Sequence, residues 1–330
     1  MSRLDVVGIG NALVDVLSHE TDDFIAKYGL EKGSMALIDA ERAEELYSAM
    51  GPGAEISGGS AANSMVGIAS FGGSSAFIGR VNDDQLGAVF GHDIRAAGVE
   101  FITPPAQGVE PTGRCLILVT PDAERTLNTF LGASSLLGPN ELDADLIQRA
   151  QVLFLEGYLW DEPDAKDAFK RAARTAHAAG NRVAFTLSDS FCVDRHRDEF
   201  RELIEMDVDV LFANEAEITS LFQVDSFDDA LQHVARRVEI AALTRSEKGA
   251  VIVTRDEVHV IDAHPVSQVV DTTGAGDLFA AGFLYGLTNG FDLGTAGRLA
   301  ALAAAEVISH LGARPQTSLA ELAAPLLASA

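Results

Sequence analysis

The stretch Asp271–Gly286, DTTGAGDLFAAGFLYG, tells more about this chain of 330 residues than any other segment. Gly274, Ala275 and Gly276 have almost no side chain, so their backbone N–H groups can point at a ligand. An apolar, helix-like run follows, and small residues that lead into a helix N-terminus form an anion site. Asp277 lies at the start of this run. A carboxylate beside an anion site suits phosphoryl transfer, because it can take a proton from a hydroxyl while the N–H groups stabilise the arriving group. The structural alternative is a first-turn Asp that the helix dipole stabilises.

Two separate segments resemble the signatures of one known family. The segment DTTGAGD resembles the second signature of the ribokinase-like kinases, the PfkB family of carbohydrate and nucleoside kinases. The segment Gly58–Ser64, GGSAANS, with further glycines at 72, 73 and 79, resembles the first signature, which lines the site for the phosphoryl acceptor. The two segments stand in the family's order, and the resemblance extends from Val6 to about Arg314.

The resemblance implies a ribokinase-like three-layer α/β/α sandwich with a mostly parallel central sheet and a small β-lid. The residue pattern also favours an α/β fold with a parallel sheet, because apolar strand-like runs alternate with longer helical ones. The strand candidates are Val6–Ile9, Ala76–Ile78, Val152–Leu155, Val183–Leu187, Val208–Phe212, Ala241–Thr244 and Val251–Val253. The helix candidates are Ser60–Phe71, Ala165–Ala179, Asp198–Glu205, Glu215–Leu221, Asp228–Val238, Leu278–Thr288 and Thr295–His310.

One segment departs from the α/β alternation. Two β-rich runs within residues 113–131 flank Pro121–Glu124, which is a hairpin signal. We therefore expect a single kinase domain over residues 1–330, with a small discontinuous lid from about 12–40 and 110–132.

Composition and charge narrow the function classes. With 47% hydrophobic residues the chain can bury a large core. A net charge of −25 disfavours nucleic acid and anionic membrane surfaces as partners, so an anionic cosubstrate must be met by a local site and a metal. The sequence contains neither an apolar run long enough to span a membrane nor the order of a signal peptide. We expect a cytoplasmic monomer or homodimer in which Cys115 and Cys192 are free thiols.

The resemblance assigns the chemical step to the second signature. In the family this turn carries the anion hole and the catalytic base. It therefore implies that Asp277 takes the proton, and that the Gly274–Gly276 turn, with the N–H groups of Ala275, Gly276 and Asp277, stabilises the transferred phosphoryl group.

Asp15 lies just past the first strand candidate, and strand alternation puts Asn11, Leu13 and Asp15 on one face. A carboxylate there can accept hydrogen bonds from two neighbouring hydroxyls of a sugar, although a solvated Asp at a strand end is the structural alternative. The resemblance favours the sugar.

The first signature supplies further candidate substrate contacts. Gly58 and Gly59 let the backbone approach a substrate, and Asn63 adds a donor and an acceptor. The structural alternative is a helix entry with Ser60 as N-cap, and both interpretations can hold at once. In the hairpin, Arg125 can fold over the site and meet a phosphate, or it is a solvated arginine of the turn.

Asn214 and Glu217 follow another strand candidate, at the sheet edge where open α/β folds bind ligands. Their spacing is that of a capping box, a sufficient structural explanation. The resemblance implies that they arrange Mg²⁺ and its waters around the phosphates of ATP, and Mg²⁺ needs few protein oxygens.

The segment Thr244–Gly249 resembles the family's nucleotide loop. Ser246 stands where glycine is common, and an Asn that the family places near the adenine has no clear counterpart in residues 300–310. Thr244, Ser246, Gly249 and Thr273 are nevertheless our candidate ATP contacts. By family analogy, Asp271 is a candidate ligand for a monovalent cation.

Four stretches resemble the adenosine kinase branch of the family more than the ribokinase or fructokinase branches. They are GNALVD at 10–15, KYGLEKGSMALID at 27–39, EGYLWDEPDA at 156–165 and TLSDSFCVDRHRDEF at 186–200. The apolar groups expected near the site, Leu13, Met35, Tyr158 and Phe191, suit a flat base, unless they are ordinary core positions.

We therefore expect an ATP-dependent kinase that phosphorylates a primary hydroxyl of a nucleoside, with adenosine as the first candidate. A sugar kinase of the same family is the alternative, for ribose, fructose or a keto-deoxy sugar acid. A non-catalytic nucleoside-binding protein and a dehydrogenase are more remote. The first has no need of the base Asp277, and the second lacks the third glycine of a dinucleotide fingerprint after Gly8 and Gly10.

Overall fold

Strands and helices alternate along most of the chain in the computed structural model, which describes residues 3–122 and 124–328. The strands are β1 (Leu4–Ile9), β2 (Leu13–His19), β3 (Met35–Leu37), β4 (Gly53–Gly58), β5 (Ser75–Ile78), β6 (Gly113–Val119), β7 (Arg125–Phe130), β8 (Ala150–Glu156), β9 (Arg182–Thr186), β10 (Val210–Asn214), β11 (Ile240–Thr244), β12 (Ala250–Val253) and β13 (Val258–Ile261).

The helices are α1 (Asp22–Lys27), α2 (Ala40–Ala49), α3 (Ser60–Ser70), α4 (Gln85–Ala96), α5 (Ala144–Arg149), α6 (Pro163–Ala178), α7 (Ser190–Asp207), α8 (Glu215–Phe222), α9 (Phe227–Val234), α10 (Ala275–Thr288), α11 (Leu293–Val307) and α12 (Leu319–Ala328). None of the helices described here is long and apolar enough to cross a membrane.

The larger sheet has eight strands in the order β13-β12-β11-β10-β9-β8-β1-β5. The run from β5 to β11 is parallel, as the sequence predicts, whereas β12 and β13 pair antiparallel at one edge. The prediction of a mostly parallel central sheet is therefore confirmed, and β12 and β13 form its antiparallel edge. The connection 245–249 is too short for a parallel crossover, which takes a dozen or more residues, so β11 and β12 form a hairpin.

Helices cover both faces of this sheet. Neighbouring residues of β1 point to opposite faces: Val6 belongs to the core cluster with α3, α10 and α11, and Val7 belongs to the cluster with α6 and α7. Both clusters are apolar and buried, which explains why the central strands read as nearly continuous hydrophobic runs. The predicted three-layer α/β/α arrangement is confirmed.

The smaller sheet has five strands in the order β3-β7-β6-β2-β4. The predicted hairpin is present, since β6 and β7 pair antiparallel up to Val119 and Arg125, although Ala123 in its turn lies outside the described residues. The chain enters this sheet directly from the larger one, because β2 starts four residues after β1 ends. Strand β4 also belongs to this sheet but lies outside the two ranges expected for the lid. Its residues are mostly exposed, so the sequence has no apolar run there that would predict a strand.

Two helices begin after a glycine, which cannot provide a side-chain cap. α7, α8, α9 and α11 are capped by the side chains of Asp189, Asn214, Ser226 and Asp292. In contrast, the N-caps of α3 and α10 are Gly59 and Gly274, with φ of 96° and 78°. Ser60, the N-cap in the structural alternative, is therefore the first residue of α3, and its hydroxyl is available for other contacts.

The close approach at Gly59 gives a stability prediction. A Cβ at Gly59 would lie 2.0 Å from the backbone oxygen of Asn11, in a backbone region that is essentially limited to glycine. We expect Gly59→Ala to lower the free energy of unfolding by more than about 2 kcal/mol, since both the backbone strain and the overlap must be relieved. The measurement is denaturant unfolding of the full chain.

Gly72→Ala is the matched control. Gly72 also has a positive φ, 87°, but a Cβ there meets nothing within 4 Å. We expect this variant to lose only about 1–2 kcal/mol, the cost of a left-handed backbone. Equal losses in the two variants would show that the contact with Asn11 contributes nothing.

Candidate active site

A cavity of about 1110 Å³ lies between the carboxyl ends of the parallel strands and the smaller sheet. Glu156, Thr186, Asn214 and Thr244, the last residues of four neighbouring strands, line one side. Open α/β folds bind their ligands at this edge. A pocket for one drug-sized ligand has a volume of roughly 300–1,000 Å³, so this cavity has room for two small molecules.

Most of the residues predicted for the site line this cavity. They are Asn11, Leu13, Asp15, Met35, Gly59, Asn63, Tyr158, Phe191, Asn214, Glu217, Thr244, Ser246, Gly249, Thr273, Gly274, Ala275, Gly276 and Asp277. Gly58 and Arg125 are not among the lining residues and have other contacts.

Asp277 lies in the first turn of α10 and joins the two signatures. Its Oδ1 accepts a hydrogen bond from Ser60 Oγ (2.6 Å), and its Oδ2 accepts one from Asn63 Nδ2 (2.9 Å). Desolvation raises the pKa of Asp277, while these two hydrogen bonds and the charge of Arg314 oppose the rise. The result is a partly buried carboxylate on the cavity wall, held from both sides, which has the properties of a general base.

The turn before Asp277 presents backbone donors, though fewer than expected. The N–H of Ala275 donates to the carbonyl oxygen of Thr272 (3.2 Å). The first bond along the helix is donated by the N–H of Leu278 to Gly274 O (2.9 Å), so Gly276 and Asp277 occupy the positions before the helical ladder begins. The predicted three-donor anion hole is therefore reduced to Gly276 and Asp277 in this conformation.

Asp15 lies on β2 in the smaller sheet, with Leu13 and Asn11 also facing the cavity. Its pKa is raised to about 6, mainly by burial and also by Asp277, against the opposing effects of Arg314 and Arg125. A Cβ on Gly58 would lie 2.4 Å from Asp15 Oδ2. Gly58 was predicted to let backbone approach a substrate, but its contact is with the carboxyl group of Asp15.

Asn11 is bound on both sides by protein groups. Its Nδ2 donates to Glu156 Oε1 (2.9 Å), and its Oδ1 accepts from Ser134 Oγ (2.9 Å). Glu156 also accepts from the N–H of Ala61 (2.8 Å). We therefore revise the expected role of the Asn11 side chain from a substrate contact to a link between β1, β8 and α3.

Arg125 of β7 connects the smaller sheet to the turn before α10. Its Nη1 pairs with Asp271 Oδ2 and donates to Thr273 Oγ1 (3.0 Å), while its buried Nε and Nη2 have no hydrogen-bond partner among the described residues. Asp271 also accepts from Thr273 and from the N–H of Gly312. These donors take both carboxylate oxygens, so Asp271 does not fit the expected monovalent cation here.

Asn214 and Glu217 form the capping box that their spacing predicts. Glu217 Oε2 accepts from the N–H of Asn214 (3.0 Å), and Asn214 Oδ1 accepts from the N–H of Glu217 (2.8 Å). Burial, together with nearby Asp189, raises the pKa of Glu217 to about 7 against the opposing effect of the hydrogen bond from Asn214. Glu217 lines the cavity, and no positively charged side chain in the described part of the chain lowers the pKa of its carboxyl group.

The segment Thr244–Gly249 lines the far end of the cavity. Ser246 has a φ of 53°, which explains why glycine suits this position, and Gly249 (φ 81°) lies so close to Ile261 that a Cβ would meet its carbonyl oxygen at 2.0 Å. The neighbouring wall is apolar and contains Val266, Val269, Ala301, Ala304, Ala305 and Ile308.

The other end of the cavity is the inner face of the smaller sheet. Met35 and Leu37 line it while 48% and 57% exposed, and Cys115, Ile117 and Leu127 continue the apolar surface. Tyr158 lies opposite, with its hydroxyl donating to Ser188 O (3.2 Å), whereas Phe191 is at the rim and largely exposed. Exposed apolar groups inside a cavity indicate a surface that a ligand covers.

This arrangement agrees with a comparison against known families. Residues 25–319 match the pfkB family of carbohydrate kinases, which is most of the chain. The chain belongs to the PfkB kinase family. It is therefore a phosphotransferase with an alcohol group as acceptor, and its two-sheet architecture is ribokinase-like.

Relatives of this PfkB kinase include proteins named adenosine kinase and one named a probable sugar kinase. The adenosine kinase from Sinorhizobium meliloti is 51% identical with a TM-score of 0.91, over 98% of this chain and 100% of that one. A probable sugar kinase from Rhizobium etli CFN 42 is also 51% identical, with a TM-score of 0.92 over 99% of each chain. The adenosine kinase of Saccharomyces cerevisiae is 29% identical over 93% of this chain and 95% of its own.

Three residues of this PfkB kinase were missed as site contacts. Ser60 was considered only as a possible N-cap, and Glu156 had the available signal of a carboxylate that directly follows the strand candidate Val152–Leu155. Arg314 had no local signal, because the residue that it binds, Ser57, is 257 positions away in the sequence.

Proposed function

We propose that this PfkB kinase transfers the γ-phosphoryl group of ATP to the 5′-hydroxyl of adenosine. The observation that carries the proposal is the position of Asp277, whose carboxylate lies at the N-terminus of α10 on the wall of a cavity large enough for two ligands. Asp277 takes the proton of the acceptor hydroxyl, the hydroxyl oxygen bonds to the γ-phosphorus, and the bond to ADP breaks. The N–H groups of Gly276 and Asp277 stabilise the charge on the transferred group.

The acceptor site lies between Asp277 and the smaller sheet in this proposal. Asp15 accepts hydrogen bonds from the two ribose hydroxyls remote from the reacting one. Asn63 contributes its Oδ1, a buried acceptor without a hydrogen-bond partner among the described residues. Two carboxylates at opposite ends of a ribose fix the reacting hydroxyl for in-line transfer.

The adenine base covers the apolar face of the smaller sheet. Met35, Leu37 and Ile117 give this face an aliphatic surface, and the ring of Tyr158 lies on the opposite wall. A free sugar leaves this surface in water, whereas a flat base removes it from water at about 25 cal/mol per Å². This difference favours a nucleoside over a sugar.

Mg²⁺ and ATP occupy the end of the cavity near the larger sheet. Each oxygen of Glu217 accepts from Asn214 and keeps lone pairs free, so this pair fits a Mg²⁺ that retains its waters. The ion would neutralise part of the phosphate charge. Thr244, Ser246 and Gly249 border the phosphates, and Arg125 folds over them from the smaller sheet, acting as a lid. A monovalent cation at Asp271 is not part of the proposal, because Arg125 already supplies the positive charge there.

A panel of acceptors tests this proposal. With ATP and Mg²⁺, we expect kcat/KM for adenosine to exceed that for ribose and fructose by roughly 10- to 100-fold, since burying one large apolar group is worth about 1.5–3 kcal/mol and 1.4 kcal/mol is tenfold. ADP release measures turnover, with inosine and cytidine as base controls.

The same panel tests the alternative of a sugar acceptor. The similarity to the Rhizobium etli protein, which is named a probable sugar kinase, makes this alternative specific. Equal or faster turnover of a free sugar would assign the enzyme to that class and reject the base site on the smaller sheet.

A further inference from the structure

Arg314 lies in the segment that follows α11 and is bound to the end of β4. Its Nη2 donates to the carbonyl oxygen (2.6 Å) and the hydroxyl (3.0 Å) of Ser57. Ser57 immediately precedes Gly58, against which the carboxyl group of Asp15 lies. Ser57 is in turn fixed to α4, because its N–H and hydroxyl both donate to Asp93. Arg314 therefore supports the backbone beneath Asp15.

The charge of Arg314 acts on both carboxylates of the proposed site. The pKa values of Asp15 and Asp277 are both raised by burial, and Arg314 is the cation that opposes the rise at both. Arg125 opposes it at Asp15. The buried Nε of Arg314 has no partner within the described residues, and burial lowers the pKa of Arg314 to about 10. A partly buried cation with a buried, unused donor is costly to keep, so a neutral side chain would suit a purely structural role better.

We propose that Arg314 is a positioning residue for phosphoryl transfer. From its place beside the Gly58-Gly59 turn, it supplies a positive charge that acts on both Asp15 and Asp277. This inference rests on the proposed function for the roles of the two carboxylates. Asp15 and Asp277 repel each other, and the chain as a whole has a net charge of −25. Without the charge of Arg314, the pKa of each carboxylate therefore rises. Both roles, base and hydroxyl acceptor, need the deprotonated form.

The test is the pH dependence of kcat/KM for the acceptor, at saturating ATP. Arg314→Gln removes the charge but keeps a donor for Ser57, and Arg314→Lys keeps the charge. We expect the acid limb of the Gln variant to move to higher pH by about one unit, the lower end of the effect of a nearby opposite charge. On the acid limb this is a roughly tenfold loss of kcat/KM relative to wild type for each of the two carboxylates that is protonated at that pH. The Lys variant should keep the wild-type limb.

The remaining ionisable neighbours are unchanged in these variants. Arg125 and Cys115 face Asp15, Glu156 and Tyr158 face Asp277, and Asp93 faces Arg314. They contribute equally to all profiles, so a difference between the Gln and Lys variants reports the charge at position 314. Arg314→Met serves as a second neutral variant if the Gln variant does not fold.

The outcomes separate this inference from the proposed function. The acceptor used is the one that wild type turns over best in the panel, so failure with adenosine rejects the proposed function alone. A neutral variant that is folded by thermal melting, yet has the wild-type acid limb and a loss that is uniform with pH, would overturn the positioning role. Loss of the wild-type limb in the Lys variant would overturn it as well.

Discussion

Asp277→Asn lowers kcat by about 10²–10⁴-fold in this account, with little change in the affinity for adenosine or ATP, because general-base catalysis contributes a factor of that size. The replacement amide can accept from Asn63 through its oxygen and donate to the hydroxyl of Ser60 through its nitrogen, so the local geometry survives. Steady-state kinetics and calorimetric binding of adenosine separate the loss of chemistry from any loss of binding.

Asp198→Asn is the matched control for this variant. The side chain of Asp198 is 96% exposed on α7, so the same change of atoms there should leave kcat unaltered. Turnover of the Asp277→Asn variant within a fewfold of wild type would reject Asp277 as the base, whatever the acceptor.

Asp15→Ala has the second large effect, because it removes the group that holds the ribose. A hydrogen bond to a charged group is worth about 1.5–3 kcal/mol, so losing two should weaken adenosine binding by at least roughly tenfold. kcat should fall as well, since a loosely held ribose no longer presents its hydroxyl to Asp277. ATP binding should hardly change. Calorimetry with adenosine and with a non-hydrolysable ATP analogue measures the two affinities.

A cycle with 2′-deoxyadenosine isolates the contact between Asp15 and the ribose. The deoxy compound should bind wild type more weakly than adenosine does, and the difference should shrink in the Ala variant, because the partner of the 2′-hydroxyl is then gone. Losses that simply add would place the 2′-hydroxyl away from Asp15. Asp15→Asn, which keeps the packing against Gly58, shows whether the cavity left by Ala contributes.

Local patterns predict those parts of the fold and site that depend on nearby residues. The central strands and the helix after the second signature follow from apolar runs, and the residues of both signatures line one cavity. Strands β3 and β4 are not predictable in this way. Both are largely exposed edge strands, β3 has only three residues, and their pairing with the rest of the smaller sheet holds them in place.

Contacts that join distant segments are also beyond such patterns. Asn11 looks like a ligand group until Glu156 and Ser134 are seen to bind it from positions more than a hundred residues away. The pairing of Arg125 with Asp271 similarly depends on how the smaller sheet lies over α10. In each case the tertiary partner decides the role of the side chain.

The most direct test of the central claim is to follow the γ-phosphoryl group itself. Wild-type enzyme with ATP, Mg²⁺ and adenosine is monitored by ³¹P NMR alongside the Asp277→Asn variant. We expect equal amounts of ADP and adenosine 5′-monophosphate from wild type, and a rate at least about 100-fold lower from the variant. ADP that accumulates without a phosphorylated nucleoside, or equal product from both proteins, would contradict it.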